Sequence, residues 1–120
     1  MGHCKDLLAY KKSYELAMKV FHVSKRFPPE ERYSLTDQIR RSSRSVCTNI
    51  AEAYRRRRYK DYFISKLNDA ETENTETEVW LDFSKDCNYI TAEEYDALIL
   101  LNTEAGKLTW FMISNPEKFM

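Results

Sequence analysis

Apolar residues recur at steps of three and four along most of the chain, the spacing of one face of an α-helix. In a first segment Leu7, Tyr10, Tyr14, Ala17, Phe21 and Ser24 form the stripe, and Leu8, Met18 and Val20 widen it. Lys5, Lys11, Lys12, Glu15, Lys19 and Lys25 avoid it, which predicts an amphipathic helix of about twenty residues. It must stop near Phe27, because Pro28-Pro29 removes two backbone donors and pushes each preceding residue out of helical geometry. Ser34 and Asp37, three apart, read as the cap and first-turn acid of a second helix. Leu35, Ile39, Ser43, Val46, Ile50 and Ala53 continue it. The stripe is narrow and bordered by Ser42, Ser45 and Ala51, small residues that let a neighbouring backbone come close. This predicts the helix packed most tightly between others.

A third segment, residues 59–87, carries Tyr62, Phe63, Leu67, Ala70, Asn74, Thr77, Leu81 and Ser84 in register. Its middle is polar all round, so Asn74 and Thr77 are expected to form a polar layer against another helix or another subunit, specifying register at some expense of stability. Asn88-Tyr89-Ile90 is a connector. Thr91 and Glu94 form a capping box, and Tyr95, Leu98, Ile99, Leu101, Ala105, Leu108 and Met112 carry a fourth helix until Pro116. Between helices two and three, residues 55–58 include no Gly or Pro, so either a tight turn forms without its usual residues or the two segments join. Four helices with short connections imply an all-α, up-down-up-down four-helix bundle, one domain over residues 1–120.

Composition narrows the picture. At 120 residues, 42% apolar and 32% charged, the chain suits a folded soluble domain, and two Gly and three Pro are too few for a sheet of tight hairpins. The longest apolar run, residues 97–101, is far too short for a membrane span. The first six residues lack the apolar stretch of a signal peptide. Cys4, Cys47 and Cys87 are odd in number and without metal-like spacing, so reduced thiols and a cytoplasmic location are expected, with Cys47 and Cys87 as small core residues.

The formal net charge is zero, yet residues 1–60 carry fifteen Lys/Arg against six acids and residues 61–120 carry four against thirteen, a division of +9 and −9. Residues 36–60 alone reach +6 and residues 61–87 reach −6. A neutral total says nothing of the local fields such a chain makes.

Catalytic and metal chemistry find little support. A carboxylate-bridged di-iron bundle needs Glu-x-x-His pairs, but Lys19 stands three residues before His22, and the other histidine, His3, belongs to a terminus expected to fray. No histidine lies near Cys47, no Gly-x-Ser-x-Gly elbow exists, and Gly2 and Gly106 cannot make a phosphate loop. Glu73, Glu76 and Asp82 read as solvated acids on a polar face. No enzyme activity, cofactor or metal is expected.

What remains is basic. Arg40, Arg41 and Arg44 are assigned to one side of helix two, and Arg55, Arg56, Arg57, Arg58 and Lys60 follow at its end, interleaved with Tyr54, Tyr59 and Tyr62. Arginine forks bind phosphate bidentately, and tyrosines beside them can stack on unpaired bases. Two other readings stay open at this point. Cations at a helix C-terminus complement its dipole, and a basic helix two facing an acidic helix three could be internal or intersubunit pairing.

The stretch from Phe27-Pro28 through Leu35-Thr36-Asp37-Gln38-Ile39-Arg40-Arg41 to Asn49-Ile50-Ala51-Glu52 resembles the hallmark of the 23S rRNA intervening-sequence proteins. Weaker similarity continues through Tyr62-Phe63, Leu67, Glu76, Glu78 and Leu81 to Asn88-Tyr89-Ile90, nearly the whole chain. The resemblance implies a bacterial, non-enzymatic four-helix bundle closed into a homopentameric ring. One branch of such proteins accompanies the reverse transcriptase of diversity-generating retroelements and binds nucleic acid and the polymerase, so RNA or DNA is the implied partner. Ala53 stands where the resemblance places a glycine, so the following turn is expected either later or more helical. In a cyclic ring one face of each subunit meets a different face of the next, which a basic helix two docking on an acidic helix three would satisfy.

Overall fold

A computed structural model describes residues 2–120, in which four helices span Leu8–Ser24 (α1), Leu35–Arg55 (α2), Lys60–Asp86 (α3) and Ala92–Ser114 (α4). Short connections force sequence neighbours antiparallel, and α1 closes the square against α4. The most extensive interface lies between α2 and α3, as the small residues of α2 predict. The molecule measures 44 × 25 × 19 Å, its long axis set by α3.

Helix ends follow local chemistry. The amides of Lys25, Arg26 and Phe27 bond three residues back, tightening the last turn of α1 before the two prolines. Ser34 does not cap α2 as expected: its hydroxyl donates to Glu31 Oε1 at 2.7 Å, and that carboxylate accepts from the Leu35 amide at 3.4 Å. A negative charge at the helix start does the cap's work. The predicted box on α4 is present, with Glu94 N donating to Thr91 Oγ1 at 3.1 Å and Thr91 N to Glu94 Oε1 at 2.9 Å. At the end of α3, Asn88 takes a left-handed φ of 63°, while the amides of Tyr89 and Asn88 bond the carbonyls of Ser84 and Lys85. That is a Schellman ending with Asn in place of Gly. The terminus expected to fray is instead a short turn, Cys4–Asp6, in which His3 Nδ1 accepts from the Lys5 amide.

Two apolar clusters fill the bundle. One gathers Leu16, Val20, Phe27, Leu35, Ile39, Leu81, Ile90, Leu98 and Leu101. The other gathers Ala9, Val46, Ile50, Ala53, Phe63, Leu67, Ala70 and Met112. A polar layer joins α3 to both its neighbours. Asn74 Nδ2 donates to Asn102 O and Oδ1 at 2.9 and 3.0 Å, Asn102 Nδ2 donates back to Asn74 O, and Ser42 and Thr77 hydroxyls meet at 2.8 Å. The layer therefore faces helices of the same chain.

Three expectations need correction. The buried face of α1 is Ala9, Ser13, Leu16, Ala17, Val20 and Ser24, so Leu8, Tyr14 and Met18 lie outside despite their apolar character. Small residues let α1 lie close to its neighbours, and that rotates the contact face away from the large ones. Cys87 ends α3 and is exposed, whereas Cys47 is buried as expected, and burial pushes its thiol up to about 12. Glu73, expected in solvent, is half-buried. Among the described residues no helix is long and apolar enough to cross a membrane.

Candidate functional site

Helices α2 and α3 are separate, and the turn between them is made of arginine. Arg56 closes α2 with its amide on the carbonyls of Glu52 and Ala53, and the Tyr59 amide bonds Arg56 O at 2.9 Å. No residue here has a positive φ, so the turn needs neither Gly nor Pro. Ala53 is fully buried one turn earlier, which places the turn after it, one of the two outcomes expected from the substitution of glycine there.

The turn delivers a cluster of guanidinium groups to one end of the bundle. Arg55, Arg56 and Arg58 are exposed, Arg57 is half-buried, and the four line an open hollow with Met120. The guanidiniums lie over tyrosine rings: Arg56 is 5.1 Å from the Tyr59 centroid and 5.0 Å from that of Tyr62, and Arg58 is 5.1 Å from Tyr59. Arg57 lies 4.0 Å over Tyr54 and donates to its carbonyl at 2.8 Å. Such contacts contribute roughly 0.5–1 kcal/mol at exposed sites and hold a planar fork in place. Lys60, at the start of α3, donates to Glu117 Oε1 at 2.9 Å. That bond raises the lysine above its ordinary value and lowers the glutamate.

The other basic residues of α2 do not share one side. Arg40 and Arg44 turn toward α1, where they lie 5.0 and 5.7 Å over Phe21, and Arg40 Nε donates to Ser24 Oγ at 2.7 Å. Lys25 lies over the same ring at 4.6 Å. Arg41, a third of a helical turn away, lines the groove between α2 and α3 with Gln38, Ser42, Ser45, Glu73 and Glu76. There Glu73 is raised above the usual carboxylate range, chiefly by burial and also by neighbouring Glu76, against the Ser45 hydroxyl that donates to it at 3.0 Å. About 25 Å of helix separates Arg40 from the turn, taking 1.5 Å per residue. Sequence reading found Arg40 and Arg44 but not Phe21 and Lys25, because a residue on α1 joins them only through tertiary packing.

Ion pairs bear on whether the basic and acidic helices neutralise each other. Within 4.0 Å, the pairs among the described residues are Lys12–Glu104, Lys19–Glu15, Arg26–Glu94, Lys60–Glu117, and Lys66 with Glu52 and Asp69. Arg40, Arg41, Arg44, Arg55, Arg56 and Arg58 have no part in them. Nor do Glu73, Glu76, Glu78, Asp82 and Asp86 of α3. The two helices are adjacent, yet these opposite charges do not pair among the described residues.

A family model described as 23S rRNA-intervening sequence protein matches residues 5–110. The chain belongs to that family. A solved structure of similar shape, a protein of unknown function from the S23 ribosomal protein family of Bacteroides thetaiotaomicron, is 35% identical with a TM-score of 0.82. The match covers 92% of this chain and 98% of that one. No curated protein matches. Membership in the intervening-sequence family bears out the resemblance carried by the helix-two motif. In this member the motif residues Leu35, Ile39 and Ile50 are core, while Arg40 and Arg41 project to two different faces.

Proposed function

We propose that this intervening-sequence family member is a non-enzymatic subunit of a cytoplasmic homo-oligomer, a pentameric ring by resemblance, that binds RNA or DNA. Arg55, Arg56, Arg57 and Arg58 supply the main contact and Arg40 and Arg44 a second, with Arg41 in the inter-helix groove and Lys60 tied to Glu117. The observation that supports this most is that Arg55, Arg56 and Arg58 crowd one exposed turn with no carboxylate within 4.0 Å among the described residues. Adjacent like charges repel, and a polyanion relieves that repulsion. Five copies around a ring would concentrate the charge further.

The test is a fluorescence-anisotropy titration with nucleic acid at ~50 and ~200 mM salt. Replacing Arg55, Arg56 and Arg58 together with Ser should weaken binding at least about tenfold and flatten the log–log salt dependence by roughly 0.7–0.9 for each phosphate no longer neutralised. Helicity and oligomer mass should not change. Equal binding by parent and variant would remove the turn from the reading. A second reading, a scaffold ring whose charges serve only assembly, draws support from Glu73, Glu76, Glu78, Asp82 and Asp86 on α3, which have no ion pair within 4.0 Å among the described residues and offer a neighbouring subunit's basic α2 a counter-surface.

A further inference from the structure

The proposed nucleic-acid contact leaves open whether bases or backbone are recognised, and the tyrosines among the arginines bear on the choice. A protein that holds single strands offers aromatic faces to successive bases. Here each ring already carries a guanidinium from within the turn: Arg57 lies over Tyr54, Arg56 over Tyr62, and both Arg56 and Arg58 over Tyr59, which is itself 48% exposed. Tyr54 and Tyr62 are also half-buried, and the Tyr54 hydroxyl stands 2.8 Å from where a side chain at Gly2 would begin. The hollow itself is lined by the four arginines and Met120, with no ring.

Arg56 and Arg58, which lie over rings with no carboxylate within 4.0 Å among the described residues, keep an N–H edge for an anion, and that edge matches two phosphate oxygens. We infer that the α2–α3 turn grips the phosphodiester backbone of duplex nucleic acid, with no base stacked on its tyrosines. The inference rests on the nucleic-acid reading above and narrows it. Duplex is the better ligand for a backbone-only grip, because it carries one charge per about 1.7 Å of axis, twice the density of one of its strands. Several guanidiniums within one turn can then reach phosphates together.

The protein is titrated with labelled ~20-base-pair DNA and RNA duplexes and with a single-stranded oligothymidine of the same length, at ~50 mM NaCl. Both duplexes should bind about tenfold or more tightly than the single strand. A 2-aminopurine placed in the oligothymidine should keep its fluorescence at saturating protein, since no ring receives it. Tyr59→Leu, checked for helicity by circular dichroism, should weaken duplex and single-strand binding by the same factor, since it removes a ring from under Arg56 and Arg58 but no base contact. Single-strand binding as tight as duplex, quenching of the 2-aminopurine, or a loss in Tyr59→Leu confined to single-strand binding would overturn the inference while leaving the nucleic-acid reading intact. Absence of binding to all three ligands at low salt would instead overturn both.

Discussion

Gly106 shows how one position can be dictated by a neighbour's polar group. It is not in a left-handed conformation. A Cβ built there would stand 2.7 Å from Asn74 Oδ1, inside van der Waals contact. The glycine thus makes room for an asparagine that spans to α4, donating to both the carbonyl and the side chain of Asn102. Buried amides left unpaired cost about 1–3 kcal/mol, so the layer tolerates little movement. Gly106→Ala should displace Asn74 and destabilise the fold by roughly 1–3 kcal/mol despite alanine's better helix propensity. Urea unfolding would check this. A more stable variant would mean that Asn74 relaxes without losing its partners. At the same scale, Cys47 and Cys87 illustrate why a spacing argument could not separate them. Both fall at the margin of an apolar stripe, yet one sits inside α2 and the other ends α3, exposed.

Among the elements, a helix is legible where its apolar stripe is no broader than the face the bundle buries. Helix α3 is the clearest: Phe63, Leu67, Ala70, Asn74, Thr77, Leu81 and Ser84, read from spacing alone, are its buried residues. Helix α1 is the least faithful, because its apolar stripe is broader than the face the bundle can use, and packing chose the side with Ala9, Ser13 and Ala17. Caps divide similarly. Thr91 and Glu94 are a local device and form as read, whereas the start of α2 is governed by Glu31, which also accepts from the hydroxyl of Tyr89 across the fold at 2.9 Å. The Ser34 and Tyr89 hydroxyls hold that carboxylate below the usual range. Thr91→Ala should cost about 0.5–2 kcal/mol, read as a lower melting temperature. A variant as stable as the parent would show that Arg26, which pairs with Glu94, anchors the helix start instead.

For the whole molecule, the division of charge and the placement of apolar surface bear on assembly. Leu8, Tyr14, Leu100, Trp110 and Phe111 are about half exposed or more on α1 and α4. Tyr33, 83% exposed, and Phe83 flank a hollow where α2 begins and α3 ends, lined also by Trp80, whose buried indole nitrogen has no hydrogen-bond partner among the described residues. If these surfaces hold the proposed ring, light scattering should give a multiple of the 14.3 kDa subunit at ~0.1 M NaCl that persists at ~1 M, where screening falls to about 3 Å. Apolar burial does not weaken with salt in that range. Dissociation at high salt would favour charge-held assembly and place the arginines in subunit contacts. A monomer at every salt would remove the ring.

The amino-acid order by itself determined four helices, three of their buried faces, the capping of α4 and the family, because each depends on spacing within one segment or on a contiguous motif. The basic character of residues 55–58 was equally plain, since a run of like residues needs no fold to be seen. Only the tertiary structure decided that those arginines turn a corner without glycine, that they lie over Tyr54, Tyr59 and Tyr62, and that Arg40 and Arg44 meet Phe21 while Arg41 faces Glu73. Whether opposite charges neutralise each other was likewise beyond any local reading. That outcome depends on helix rotation and side-chain reach across the α2–α3 interface, quantities that arise only when separate helices are packed.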